Sequence, residues 1–299
     1  MIFNKLSKTN DNLAGSCWMI VAMLGFAIED SLIRLSSLTI PFGQVLFLFG
    51  LGGALFFALL CKVQKQQLFV KEVLSRPMIT RMFFELIGRL FYSLSLVLMP
   101  ISLVTLVLQA TPIFVVAGAA LIFREAVSIF RWIAIFSGLL GVIIIIEPSS
   151  DGFSPYVVFA VLGMLGFAGR DLGSRAASPA LSHHHLGFYG FIAVLSAGMI
   201  FSLFSKTDYV SLNVGMLIYI TTLVIVGCFS YIALMKAMRT GEVSFVTPFR
   251  YTRIIFGVGA GFLLFGEAVT SSLFFGSIII VLSGVFLISS QTQCKNQAK

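Results

Sequence analysis

The chain has 299 residues, of which 58% are apolar types and only 11% are charged. A soluble surface carries about 25% charged residues, so two ordinary water-soluble domains are excluded, and a mean hydropathy of +1.02 makes lipid the solvent. The net charge of +8 sits at the ends of apolar stretches and forms no continuous stripe, which argues against nucleic-acid recognition.

A polar head, 1–12, precedes a first apolar span at 13–34. It lacks a small-residue cleavage site, so it reads as a retained helix and not a removable signal peptide. Crossing the hydrocarbon takes about 20 apolar residues. On that measure further spans follow at 41–61, 79–98, 101–123, 131–147, 155–175, 187–205, 213–238, 243–266 and 270–290, before a polar tail at 291–299. The uncharged run 90–123 is too long for one span and contains Met99-Pro100, so it divides into two with a tight turn. Cys17, Cys61, Cys228 and Cys294 show neither a CxxC pair nor metal-ligand spacing and read as small apolar residues. The sequence asks for no metal and no cofactor.

Lys and Arg set the orientation. With a cytoplasmic N-terminus the inner side holds Lys5, Lys8, Lys62, Lys65, Lys71, Arg76, Arg124, Arg131, Arg175, Arg239, Lys295 and Lys299, against only Arg34 and Lys206 outside. That asymmetry requires an even number of spans. A repeat points the same way. Residues 23–34 and 164–175 share seven identities at an offset of 141: the run MLGFA, then Asp30 with Asp171 and Arg34 with Arg175. Phe123-Arg-Glu-Ala-Val127 returns as Phe265-Gly-Glu-Ala-Val269 at an offset of 142. A five-span unit repeated once must lie in the membrane with opposite orientation, a recurring plan for secondary transporters, with the site expected near mid-membrane between the halves. The expected fold is an all-α integral membrane protein. Ten transmembrane helices form two inverted five-helix repeats, 13–147 and 155–290, with both termini cytoplasmic.

These features resemble the drug/metabolite transporter superfamily, EamA-type branch. The resemblance rests on Thr111-Pro112 with Phe123-Arg-Glu125 in the first half and Phe265-Gly-Glu267 in the second. The segment from Val246 to Arg253 (VTPFRYTR) resembles that of the sub-branch containing S-adenosylmethionine and riboflavin uptake carriers. It implies a carrier in the cell inner membrane, a monomer or homodimer, working on a small-molecule substrate within the lipid bilayer, with protons as a candidate coupling ion. Ile254 stands where the first half has Pro112, and Pro248 lies six residues earlier, so span nine is expected to bend at a different depth from span four.

Ionisable groups within spans usually face a bundle interior or an aqueous cavity. Here they include Glu29, Asp30, Glu85, Arg89, Arg170, Asp171, Lys236, Arg250 and Arg253. Asp30/Arg34, Glu85/Arg89 and Asp171/Arg175 are each acid-before-base at i,i+4, which predicts pairing within one helix. Glu85, Arg89, Glu29, Asp30 and Asp171 are therefore candidates for coupling or gating, or for locking helices together. Arg250 and Arg253 share a helix face with no acid in their own span. They follow Pro248, which frees the carbonyl of Ser244. A guanidinium offers a planar fork to carboxylate or phosphate, so the two read either as a ligand clamp or as interhelical salt bridges to Glu85, Asp30 or Glu29.

Tyr92 and Tyr251 beside these charges suggest an aromatic wall for a flat heterocyclic substrate, with Tyr231 and Phe249 nearby. Gln109 and Thr111 flank Pro112 and offer hydrogen bonds where the helix loosens. Glu125 and Glu267 are expected to cap helix N-termini. Gly50–Gly53 and Gly257–Gly261 are expected to permit close helix approach. His183, His184 and His185 read as a solvated connector. No GxxxxGK[ST] loop is present, which disfavours ATP-driven pumping by this chain. No HExxH, GxSxG or aspartate-rich motif supports an intramembrane enzyme. An assembly subunit would leave the repeat and the buried arginines unexplained. A secondary transporter is the expected function, with uptake of a flat, polar cofactor or nucleoside-like metabolite and export of amino acids or drugs as the alternatives.

Overall fold

Lipid offers no partner for an open amide, so apolar segments of this length close their backbone bonds within helices. The computed structural model describes residues 2–98, 107–146, 156–205, 208–265 and parts of 271–286. In the first half lie α1 (Ile2–Ser36), which carries the polar head and the first apolar stretch together, α2 (Phe42–Val63), α3 (Arg76–Leu98), α4 (Thr111–Ile122) and α5 (Ile129–Ile146). The second half holds α6 (Val157–Ala176), α7 (His183–Ser205) and α8 (Val214–Arg239). There follow α9 (Val243–Val246), a 3-10 turn (Thr247–Tyr251) and α10 (Thr252–Phe265). The expected turn at Met99-Pro100, Glu267, the tail 291–299 and much of the span at 270–290 lie outside the described residues.

Five described helical segments are long and apolar enough to cross a membrane: Asn10–Ser36 within α1, then α2, α6, α7 and α8. The others fall short for identifiable reasons. α3 has the length, but Arg76, Arg81, Glu85 and Arg89 lower its hydropathy. α4 starts only after a turn at 109–110, and the segment 243–265 is interrupted by the 3-10 turn. These two breaks lie in register, against the expectation of different depths. Adding 142 to 109–110 gives 251–252, where the 3-10 turn ends and α10 begins. Both prolines stand in the first turn of their segment, where the missing N–H costs nothing. The 3-10 turn takes up their stagger.

The most extensive helix contacts are α2 with α7, α3 with α6 and α1 with α8. Exchanging each helix for its counterpart five spans away returns the same set: α1·α8 becomes α6·α3, and α2·α7 becomes itself. The lesser contacts obey the same exchange, α3·α7 with α8·α2 and α1·α10 with α6·α4. Small residues make it possible. A Cβ on Gly25 of α1 would fall 2.1 Å from Ser230 Oγ of α8, and one on its repeat counterpart Gly166 of α6 would fall 2.4 Å from Gly88 Cα of α3. Gly50 and Gly53 likewise press on Leu195 and Phe191 of α7, as expected. Gly257 and Gly259 have nothing within 4 Å of an added Cβ, so the expected close approach there is not made.

The charges within the spans are turned inward, and many large apolar side chains face outward. Leu55, Leu59, Leu203 and Phe204 are exposed, while Arg81, Glu85 and Asp171 are wholly buried. In water such a surface would aggregate; in a bilayer it is solvated.

Candidate functional site

Arg81, Glu85, Gly88, Arg89 and Tyr92 recur at helical spacing along one face of α3. That face packs on the glycines of α6, which brings the charges of both helices together. Glu85 accepts from the Tyr231 hydroxyl at 2.5 Å and lies 3.4 Å from Arg170 and 3.7 Å from Arg81. Arg81 donates through Nε to Ser174 at 2.9 Å and through Nη2 to the Leu186 carbonyl at 2.9 Å. Arg170 donates to Asp171 at 2.8 Å. The other Asp171 oxygen accepts from Arg250. A second group lies alongside. Arg89 meets Glu29 of α1 at 3.5 Å, and Arg253 donates to Asp30. Phe167 stands between the groups, with Arg170 4.8 Å and Arg89 5.8 Å from its ring centre. Its repeat counterpart Phe26 lies 5.4 Å under Arg253.

Counting these groups, five arginines (81, 89, 170, 250 and 253) face four carboxylates (Glu29, Asp30, Glu85 and Asp171), an excess of one positive charge. A charge taken out of water is tolerable only when paired and hydrogen-bonded, and each acid here has at least one arginine partner. Only the Asp30–Arg253 pair is substantially open, with side chains 39% and 22% exposed.

The two clamp arginines are delivered by the broken span. Gly241, at φ +74°, turns the chain out of α8, and Asn12 of α1 accepts from the Glu242 amide at 2.7 Å. Glu125 caps the short α9, accepting from the amides of Val243 at 3.3 Å and Ser244 at 3.2 Å. Arg131 bonds both Glu242 and the Ser244 hydroxyl. With its start held in this way, the 3-10 turn directs Arg250 to α6 and Arg253 to α1.

Several expectations are corrected. Arg89 and Arg175 pair with carboxylates of other helices and not with the acids four residues before them: Arg89 goes to Glu29, Glu85 to Arg170 and Tyr231, and Arg175 lies 4.0 Å from Glu125. The glycine contacts place a neighbouring helix closer than the next turn, and a dry carboxylate takes every donor within reach. Tyr251 does not join the arginines. Its hydroxyl donates to the Ile135 carbonyl at 3.0 Å, and its ring packs on Gly138 of α5. Tyr92 does join them, edge-on to Phe167 with centroids 5.6 Å apart. Gln109 and Thr111 are buried at the break before α4, where the Thr111 hydroxyl turns back to the Leu108 carbonyl. The histidine run opens α7 and is no loop; His185 is buried and lies 2.9 Å from the Gln67 carbonyl. Sequence reasoning passed over Arg81, although it falls inside the expected third span, and Phe26 and Phe167, although both belong to the repeated MLGFA run.

The pattern of the EamA-like transporter family matches residues 13–147 and again residues 154–290. The chain belongs to the EamA-like transporter family. Among its EamA relatives, a riboflavin transporter of Vibrio cholerae is 26% identical over 96% of this chain and 97% of its own length. An S-adenosylmethionine uptake transporter of Rickettsia prowazekii is 24% identical over 93% and 94%. A pseudopaline exporter of Pseudomonas aeruginosa is 25% identical over 92% and 95%. A solved crystal structure covering 94% of this chain superposes with a TM-score of 0.77 at 16% identity, a likeness of fold. This EamA-family chain is a multi-pass membrane protein built as a two-repeat helical transporter.

Proposed function

We propose that the chain is a secondary transporter that moves a small polar organic metabolite across the cytoplasmic membrane by alternating access. In this reading ten spans form inverted halves, 13–147 and 155–290, with the tails 1–12 and 291–299 both cytoplasmic. The observation that carries it is the meeting of Arg250 and Arg253, on one broken span, with Asp171 and Asp30, the repeated aspartates of the two halves. A hydrogen-bond-accepting group of the cargo competes with these aspartates for the guanidiniums, so binding loosens the Arg253–Asp30 contact between the halves and lets one rock against the other. Tyr92, Gln109 and Thr111 line the approach in this reading. Glu29, Asp30, Glu85, Arg89 and Asp171 hold the resting state, and Asp30, the most open carboxylate of the set, is the candidate proton carrier. The cargo class supported by the S-adenosylmethionine uptake transporter and the riboflavin transporter among the relatives is a flat heterocyclic cofactor or nucleoside-like compound, with those two compounds as examples.

The test is uptake into reconstituted vesicles with Arg250→Ala and Arg253→Ala at matched insertion. Each variant is expected to lose about tenfold or more of its transport, the scale for removing one partner of a desolvated charge pair. Unchanged uptake in both would defeat the clamp. A second reading, export, is favoured by the pseudopaline exporter's match over 92% of the chain. Comparing flux in right-side-out and inverted vesicles separates the two directions.

A further inference from the structure

We propose that the C-terminal end of α2 carries a binding site for an anionic phospholipid, which lays an acyl chain along the helix and its headgroup phosphate on Lys62. A hollow of about 720 Å³ lies there between α2 and the chain that leaves it, within the range of about 300–1,000 Å³ for small-ligand clefts. A reversal of the backbone makes it. Lys65, at φ +54°, turns the chain, and the amides of Lys65 and Gln66 donate to the carbonyls of Lys62 at 3.0 Å and Cys61 at 2.8 Å. Residues 66–69 then form the wall opposite the helix. That wall is held by α7 from behind. Ser182 donates to the Gln66 side chain at 2.7 Å, His185 Nε2 lies 2.9 Å from the Gln67 carbonyl, and Tyr189 donates to the Leu68 carbonyl at 3.1 Å. Three successive residues tied in this way give the hollow a fixed shape.

Its lining changes from apolar to charged along the helix. Leu55, Leu59 and Lys62 share one face of α2 at i, i+4 and i+7. The two leucines are 62% and 60% exposed, and Phe69 of the opposite wall is 81% exposed, so the occupant of the apolar part is a hydrocarbon chain. Lys62 stands about 10 Å further along the axis than Leu55, where chain gives way to headgroup, and its stem carries the ammonium outward. Neither Lys62 nor Lys65 has an ion-pair partner among the described residues. Residues 62–76 hold four basic side chains (Lys62, Lys65, Lys71 and Arg76) against Glu72 alone. A headgroup without net charge leaves that excess unanswered, whereas an anionic one meets it. The proposed orientation places this end of α2 in the cytoplasmic leaflet, whose anionic headgroups attract basic segments. Free phosphate supplies the charge but nothing for the leucines. Bound here, the lipid ties α2 to the returning strap and through it to α7, the helix pair that the repeat exchange maps onto itself.

The test titrates phosphatidylglycerol and phosphatidylcholine of identical chains into the full chain in detergent and reads the rise in thermal midpoint, since a ligand of the folded state stabilises it. The wild-type protein is expected to reach half its rise at about fivefold less phosphatidylglycerol than phosphatidylcholine, the scale for one lysine near an anionic surface. Lys62→Gln should lose that preference. Leu59→Trp, which fills the hollow from an exposed position, should weaken the response to both lipids. Arg124→Gln removes an exposed charge outside the hollow and should keep the wild-type preference. Glycerol phosphate, with the headgroup anion and no chain, should leave the midpoint where it was. An equal response to the two lipids, a preference that survives Lys62→Gln, an equal loss of preference in Arg124→Gln, or a rise produced by glycerol phosphate alone would overturn the lipid site.

Discussion

At the scale of single residues, Glu85 is the hinge of the buried charges. It holds two arginines and a tyrosine with no solvent exposure. Glu85→Ala leaves Arg81 and Arg170 facing each other with one acceptor fewer, and is expected to cost about 3 kcal/mol of stability. Tyr231→Phe removes two hydrogen bonds, the one donated to Glu85 and the one accepted from Arg81, and is expected to cost about 2 kcal/mol. Denaturation in mild detergent, read as the folded fraction, checks the order; equal losses would mean that Glu85 is not the shared acceptor. The sequence showed which residues were charged and which spans held them. It did not show their partners, because spacing within a helix ranks Arg89 as the neighbour of Glu85, whereas the distance across a glycine contact decides for Arg170. Tyr251 was misjudged for a related reason. Neighbours in sequence on a 3-10 turn point in different directions, so adjacency to Arg250 says little about the face Tyr251 occupies.

At the scale of elements, the close contacts of α3 with α6 and α1 with α8 depend on residues without bulk. Gly166→Ala would drive its new methyl to 2.4 Å from Gly88 Cα, where only a backbone can yield. A marked loss of folded protein is expected, on the scale of about 1–3 kcal/mol for overpacking. Gly257→Ala meets nothing within 4 Å and should be neutral, or stabilising by up to about 1 kcal/mol, because it removes a helix-weakening glycine. Thermal midpoints of the two variants give the test, and comparable destabilisation would refute the packing argument. The repeat at 23–34 and 164–175 made the first of these contacts legible, since Gly25 and Gly166 occupy the same place in it. Nothing in composition separated the idle glycines of α10 from the pressed ones of α2, because the difference lies in which neighbour faces them.

At the scale of the whole molecule, the exchange symmetry of the helix contacts was already implied by two short echoes at offsets of 141 and 142. The proposed orientation has a direct check. Leu38→Cys, on the exposed connection after α1, should react with an impermeant maleimide in intact cells, while Phe69→Cys should react only after permeabilisation. Labelling of both from outside would refute the proposed orientation of the first half. Proton coupling is tested by collapsing the gradient: uptake is expected to fall, and indifference would remove the carboxylates from any proton path.

The halves repeat each other in shape but not in charge. Where α10 carries Arg253, the matching position of α4 is Thr111. Both cations of the proposed clamp therefore belong to the second half, and in that proposal the two end states of the cycle cannot be mirror images in energy. The apparent half-saturation concentration measured from one face of the membrane should differ from that at the other, with the maximal rates differing in the same ratio where no ion drives the cycle.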